Sequence, residues 1–234
     1  MDMVIRIMEE LKNEFNKTIY INVIIYTIPM KILVFDTETT GLPSRKGYDK
    51  YYPYTQLNHY DNSRIISICW KLYDEEVLIS STYNIIKPDT FEIDNSSKAC
   101  QINGITQEIA NEKGINITDM FVKLHTDLYN CDTVVAHNIL FDKTVLLSEL
   151  HRYKRDDLIN IFETKALYCT MNKSKDLLKI PMKYGDYKSP KLIELYLYFF
   201  GEKFDNEHDA SADVEACVKC YFELIKNKKK VYIK

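Results

Sequence analysis

Residues 31–42, KILVFDTETTGL, join an apolar run to two carboxylates and stop at a glycine. Ile32, Val34 and Phe35 in so short a run, followed by Thr39-Thr40-Gly41, predict a buried strand rather than a helix. Side chains alternate along a strand, so Asp36 and Glu38 point to the same side of the sheet, at its edge. Two carboxylates placed together repel each other unless something positive lies between them. A divalent cation that prefers oxygen ligands, Mg²⁺ or Mn²⁺, meets that need. A D-x-E pair at a strand end also fits a solvated turn, and the stretch alone leaves both readings open.

Upstream, residues 1–29 are expected to be an N-terminal extension. Residues 3–15 fit a short amphipathic helix, and 18–28 form an apolar, β-branched run that either adds a strand or stays disordered. That run is too short and interrupted to span a membrane. Glu9, Glu10 and Glu14, with no small-residue cleavage site, argue against a signal peptide, so no membrane association is expected. Met30 stands directly before the strand, where a later start would fall.

Downstream, a loop over 43–63 carries Tyr48, Tyr51, Tyr52, Tyr54 and Tyr60 among charges. These rings either offer a stacking surface to the bases of a single strand or fold back to close the sheet. Strands are expected over 64–73 and 77–86, joined by Asp74-Glu75-Glu76, which makes the first neighbours antiparallel. A short helix is expected from Ile102 through Ala110. A longer one follows with Thr118 as cap and Phe121, Leu124 and Leu128 on one face, His125 beside them as a core or surface histidine. Another strand, 131–136, leads through His137-Asn138 into a helix that reaches about Tyr153, buries Val145, Leu146 and Leu150, and carries Asp142 in its first turns. Ser189-Pro190 reads as N-cap and first residue of a helix that Gly201 closes. The last helix is expected from about Ala210 to Lys226 with Asp213 at its start, followed by a basic tail, 227–234. One domain over 30–226 therefore combines a mixed sheet with flanking helices, an α/β architecture.

The 234 residues suffice for one domain with a large core. A net charge of −3 with 28% charged residues excludes a protein that coats nucleic acid by charge alone. It does not exclude a polyanionic substrate, because clustered carboxylates draw their positive charge from metal ions. The six cysteines lie mostly in apolar stretches, as expected of buried thiols in an intracellular, reducing compartment, cytoplasm or nucleus. Cys217 and Cys220 form a C-x-x-C on a helix with no second pair, so no zinc site is expected.

Asp36, Glu38, Asp142 and Asp213 all fall where strand ends meet helix starts, with His208 nearby. One reaction fits that set well: two Mg²⁺ ions clamp a phosphodiester, one activating water and the other stabilising the leaving oxygen. Asp36 would bridge both ions, Glu38 and Asp213 would hold the ion that activates water, and Asp142 would help to hold the other. Imidazole takes up a proton near neutral pH, which makes His208, on a small polar loop, a candidate general base.

FDTETTGL at 35–42, AHNILFD at 136–142 and HDASAD at 208–213 resemble, in that order, the three motifs of the DEDDh (DnaQ-like) 3′→5′ exonucleases, with their ribonuclease H-like fold. INGIT at 102–106 is similar to a short family segment after the third strand. ETKALYCTM at 163–171 stands where the family has D-T-x-x-L, with Glu163 in place of Asp. The resemblance implies hydrolysis of the 3′-terminal phosphodiester of DNA or RNA, with release of nucleoside 5′-monophosphates and two Mg²⁺ or Mn²⁺ ions per site. It implies that backbone at Thr39 and Thr40 receives the terminal nucleotide and that Leu42 wedges against its base; Asn138 is a further expected substrate contact. Nucleic-acid 3′ ends are the expected partners, with a polymerase or a replication or repair protein as a possible second. The oligomeric state is left open. The long tyrosine-rich loop departs from the compact members and leaves substrate choice open, including trimming of RNA or short oligonucleotides. Two other classes compete. A haloacid dehalogenase-type phosphatase shares part of the first motif but has Asp where Glu38 stands. A non-catalytic nucleic-acid-binding protein would have no need of so much like charge in one place.

Overall fold

The computed structural model describes residues 31–47, 50–183 and 185–231; the expected extension over 1–29 lies outside them. Strand β1 (Lys31–Thr39) runs beyond the apolar residues 31–35, where the sequence reading ends it, and its exposure alternates through the carboxylates: Thr37 and Thr39 are buried, whereas Asp36 and Glu38 are partly open. A small hairpin, β2 (Arg45–Gly47) and β3 (Lys50–Tyr51), stands apart in a sheet of its own. Then come β4 (Ile65–Asp74) and β5 (Val77–Ile85), and later β6 (Thr133–Ala136) and β7 (Ala166–Cys169). The main sheet has the order β5-β4-β1-β6-β7.

Strands β1, β4 and β5 pair antiparallel, as the short turn at Glu75 requires. Asp36 lies opposite Cys69, and Glu38 opposite Ser67. On its other side β1 runs parallel to β6, with Val34 opposite Val135, so both strands end at the same edge. Parallel strands that end together open a crevice beyond their carboxyl ends, where loops can gather functional groups. Strand β1 is central, and the carboxylates sit at its mouth.

The helices are α1 (Lys98–Asn103), α2 (Gln107–Lys113), α3 (Ile117–Asn130), α4 (Ile139–Arg152), α5 (Asp156–Glu163), α6 (Thr170–Leu178), α7 (Leu192–Phe200) and α8 (Ala210–Val231). Odd-numbered residues of β1, Leu33 and Phe35, pack with Trp70 against Phe121 and Leu124 of α3 and Val145 and Leu146 of α4. Even-numbered residues, Ile32 and Val34, pack with Cys69 against Val214, Cys217 and Tyr221 of α8. Each face of the sheet is thus covered by helices, as a strand buried on both sides demands. All six cysteines are buried and unbridged. Burial pushes the Cys69, Cys131 and Cys220 thiols up to about 12 and the Cys217 thiol well above its ordinary value, which leaves them poor metal ligands and nucleophiles.

Several boundaries differ from the sequence reading, each for a local reason. The helix expected over 102–110 is divided by Gly104, at φ 71°, and restarts when the Thr106 hydroxyl accepts a hydrogen bond from the Ile109 N–H. Thr118 lies inside α3, and Asn116 holds the capping position. Ser189 and Pro190 do not open α7. The Pro190 carbonyl instead bonds Nε2 of His137 at 3.0 Å, and the helix begins after Lys191, whose N–H is accepted by the Glu194 carboxylate at 2.8 Å. Gly201 closes that helix as expected, at φ 75°, a left-handed conformation that glycine adopts at little cost. Helix α8 begins at Ala210 as expected but continues to Val231, beyond Lys226 and into the expected tail, because lysine is a good helix former and complements a helix C-terminus.

Of the tyrosine-rich loop, the described rings fold back, although onto their own loop and α4 more than onto the sheet. Tyr60 is fully buried, Tyr52 stacks on His59 with centroids 3.5 Å apart, Tyr54 meets His151 edge-on, and Tyr51 meets Phe141.

Candidate active site

The triplet Asp36-Thr37-Glu38 divides between the two faces of the sheet, and that division builds the site. Asp36 and Glu38 point toward α8, where Asp213 sits in the first turn. Thr37 points the other way, toward α4. Its hydroxyl and N–H both donate to Oδ1 of Asp142, at 2.8 and 3.1 Å. The residue between the two carboxylates therefore positions the third. Sequence reading missed that role, since a threonine beside carboxylates looks like spacer.

Asp213 is fixed from the loop side. The His208 N–H donates to its Oδ2 at 3.0 Å, which folds 208–213 back on itself. Asp209 caps α8, its Oδ1 accepting from the N–H groups of Ser211 and Ala212. His208 has φ 69°, and Asn138, which precedes α4, has φ 70°. Left-handed non-glycine residues cost energy and persist only where surrounding contacts enforce them. Here both occur on the two loops that frame the carboxylates.

Among the described residues no lysine or arginine pairs with Asp36, Glu38, Asp142 or Asp213, so the cluster gathers like charge. Burial, reinforced by the charges of Asp142, Glu38 and Asp213, raises Asp36 well above the usual carboxylate range. Burial, then Asp213 and Asp142, pushes Glu38 up to about 8. Asp142 rises to about 7 through burial, against the lowering effect of the Thr37 hydrogen bonds. Asp213 rises to about 6 through burial, despite the stabilising His208 N–H. Ligand atoms of Glu38, His208 and Asp213 lie within 4.8 Å of one another, close enough to share one ion. Among the described residues this is the group of three with metal-holding geometry. Oxygen donors with raised proton affinity and a nearby imidazole suit a hard divalent cation.

The expected substrate residues surround this mouth. Thr39 is buried and its hydroxyl donates to the Gly41 carbonyl at 2.6 Å. The Thr40 N–H donates to the Arg64 carbonyl, and its hydroxyl accepts from the Arg64 N–H. Gly41 passes so close to the chain at Asn62 that a Cβ there would stand 2.7 Å from the Asn62 carbonyl oxygen. The turn therefore needs glycine. Just beyond it Leu42 is 70% exposed, an apolar side chain held out in water. Asn138 is partly buried at the start of α4.

Two supporting contacts were not foreseen. Asn103, within INGIT, uses its side-chain amide to reach the Thr39 carbonyl at 3.4 Å and accepts from the Ile105 N–H. Behind Thr40, Arg64 forms a buried two-pronged pair with Glu149 of α4, at 2.6 and 3.1 Å. Glu149 also accepts the Ile65 N–H, and Phe91 covers the guanidinium, 4.3 Å from its ring centroid.

A family model described as Exonuclease (RNase_T) matches residues 33–221. Among solved structures, the chain is similar to Escherichia coli exonuclease I in complex with a dT13 oligonucleotide, with TM-score 0.63 and 20% identity over 87% of this chain and 42% of that one. The zinc-bound form of the E. coli exonuclease I–ssDNA complex gives TM-score 0.62 and 20% identity over 86% and 41%. The E. coli enzyme in complex with a dA16 oligonucleotide gives 0.58 and 20% over 81% and 39%. The chain thus spans about two fifths of the length of these structures, and at such identity the likeness is one of fold: a mixed, helix-flanked sheet of ribonuclease H-like type. A search among curated protein sequences finds no match.

Proposed function

The chain belongs to the exonuclease family, and from that premise we propose that it hydrolyses the 3′-terminal phosphodiester of a nucleic acid and releases nucleoside 5′-monophosphates. The observation that carries this reading is the convergence of Asp36, Glu38, Asp142 and Asp213 into one under-neutralised cluster at the mouth of β1. Asp36, Glu38, Asp142 and Asp213 would hold two Mg²⁺ or Mn²⁺ ions. When bound, such ions make water acidic enough to attack and neutralise the charge that develops on the leaving oxygen.

The chain's own groups do the rest. His208 is exposed beside Glu38 and Asp213, where it can take the proton of an incoming water. Thr37 fixes Asp142 so that one carboxylate oxygen is committed to positioning and the other stays available for a cation. Thr39 and Thr40, pinned by Arg64 and Asn103, present backbone to the terminal nucleotide, Leu42 lies against its base, and Asn138 marks the strand's path across the start of α4. The oligonucleotides named with the E. coli structures support single-stranded DNA as the first substrate to try, with RNA as the alternative. The proposal extends to service beside a polymerase or a repair enzyme, in a reducing compartment where the six thiols stay reduced. A phosphatase of the haloacid dehalogenase type would leave Asp142, His208 and Asp213 without a role.

The test is digestion of matched 3′-labelled and 5′-labelled DNA and RNA oligonucleotides with Mg²⁺, with EDTA, and with the His208→Ala protein. Loss of mononucleotides from the 3′ end, stopped by EDTA and slowed about 10²-fold or more without His208, is the expected result. Failure to shorten either polymer in Mg²⁺ or Mn²⁺ would overturn the reading.

A further inference from the structure

Arg45 and Tyr51 of the β2–β3 hairpin, the first turns of α6, Met182 and residues 186–189 line a groove of about 740 Å³. Its charged lining is three cations, Arg45, Lys175 and Lys188, against one carboxylate, Asp186. Between them lie Tyr51, Leu140 and Met182. The groove also includes Asn138, and Leu140 and Asn138 stand at the start of α4, whose first turn carries Asp142. It therefore runs from the start of α4 to the hairpin, and Asp142 lies one helical turn from its inner end without lining it.

We propose that this groove holds the stretch of single-stranded nucleic acid on the 5′ side of the scissile phosphate, with Arg45 as its main phosphate contact. The inference rests on the exonuclease reading and adds to it the path of the strand and the residues that grip it. In a chain of net charge −3, a groove with more cations than carboxylates in its lining suits an anion. Lys175 is held by Asp186 at 3.0 Å and Lys188 by Glu194, which fixes where their charges sit. Among the described residues no carboxylate pairs with Arg45; its guanidinium lies 5.7 Å from the Tyr51 ring centroid. A cation beside an aromatic face suits a nucleotide, which brings a phosphate and a flat base together. The apolar surfaces of Tyr51, Leu140 and Met182 suit unpaired base faces. A duplex hides those, so the lining selects a single strand.

The test uses the full chain and 5′-fluorescein-labelled decathymidylate, with binding read by fluorescence anisotropy in EDTA. Arg45→Glu is expected to weaken binding about fivefold or more and to lower the salt slope by about 0.7 for each phosphate that the protein no longer neutralises. Met182→Lys, which adds a cation to an exposed wall position, is expected to tighten it, and dithymidylate should compete far less well than the decamer. Wild-type affinity in both variants would overturn the groove, as would displacement of the oligonucleotide by decaglutamate at equal concentration. Hydrolysis of the same decamer in Mg²⁺ separates the two ideas. If the wild type digests it while both variants bind it unchanged, the groove falls and the exonuclease reading stands. If the wild type binds it through Arg45 yet digests it in neither Mg²⁺ nor Mn²⁺, the exonuclease reading falls and the groove remains a polynucleotide site.

Discussion

Asp142 and Glu149 lie seven residues apart on α4, so they share a helix face, and both are almost fully buried, at 2% and 1% exposure. Their surroundings are opposite. Glu149 meets Arg64 in a two-pronged pair and also accepts the Ile65 N–H. Asp142 meets the hydroxyl and N–H of Thr37, and beyond these the carboxylates of Asp36, Glu38 and Asp213. The first arrangement supplies a cation from within the chain and becomes a structural pin behind Thr40. The second has no such partner among the described residues, and under the proposed function its counter-charge is a metal ion. Burial of a carboxylate is thus uninformative until its counter-charge is found, because an unpaired buried charge is costly and functional sites are where such a cost is retained.

The largest effect should come from neutralising the unpaired site. Asp142→Asn keeps an acceptor for Thr37 but removes a charge, and should lower hydrolysis about 10³-fold or more while raising the melting temperature of the metal-free protein. Loss of activity with lower metal-free stability would break the contrast. Next, Arg64→Met should cost about 3–5 kcal/mol in urea unfolding, because Glu149 is left buried without a partner. The double variant Arg64→Met with Glu149→Leu should recover most of that loss; if it does not, Arg64 matters for something other than this pair.

His137 offers a third way to bury a titratable group, which is to keep it neutral. Its ring bonds the Thr170 hydroxyl and the Pro190 carbonyl, and burial lowers it to about 4. The unfolded chain takes up the proton first as pH falls, so this contribution is complete above about 6.5 and is lost toward pH 4, by up to about 3 kcal/mol. His137→Gln should flatten that part of a stability profile measured by urea unfolding.

The carboxylate cluster slopes the other way. Its folded values, about 8, 7 and 6 for Glu38, Asp142 and Asp213, lie above those of the unfolded chain. Its contribution is complete at low pH and is lost as pH rises through the folded values. Mg²⁺ at about 100 times its dissociation constant should return about 2.7 kcal/mol, or about 5–10 °C in melting temperature. That gain should be clear at pH 8 and shrink toward pH 5. A gain independent of pH would place the ion elsewhere.

Much of this was legible in the chain because it depends on short-range periodicity. The apolar run at 31–35 marks β1 and the period of two sets Asp36 and Glu38 on one side, and the runs read at 64–73 and 77–86, with Glu75 between them, give an antiparallel pair close to the observed bounds. The motif order marked all four carboxylates and His208. Strand β7 was not legible, being four residues long with two exposed. Nor were α5 and α6, or the hairpin inside the tyrosine-rich loop, whose patterns are too short to favour one period. Ser189 was a plausible cap that lost to a contact made elsewhere, where His137 takes the Pro190 carbonyl that a helix beginning there would use, and Thr118 falls inside a helix that starts after Asn116.

By itself, then, the sequence determined a mixed α/β fold, the residue types of a carboxylate and histidine site, and the strand and helix starts on which they sit, since these follow from periods of two and 3.6 residues. Only the tertiary structure decided which buried carboxylate would be paired and which would not. The Thr37 to Asp142 bonds join residues 105 apart, and Arg64 reaches Glu149 across 85. At such separations no local pattern tells a partner from a neighbour, and the choice rests on how β1, β4 and α4 pack at one edge of the sheet.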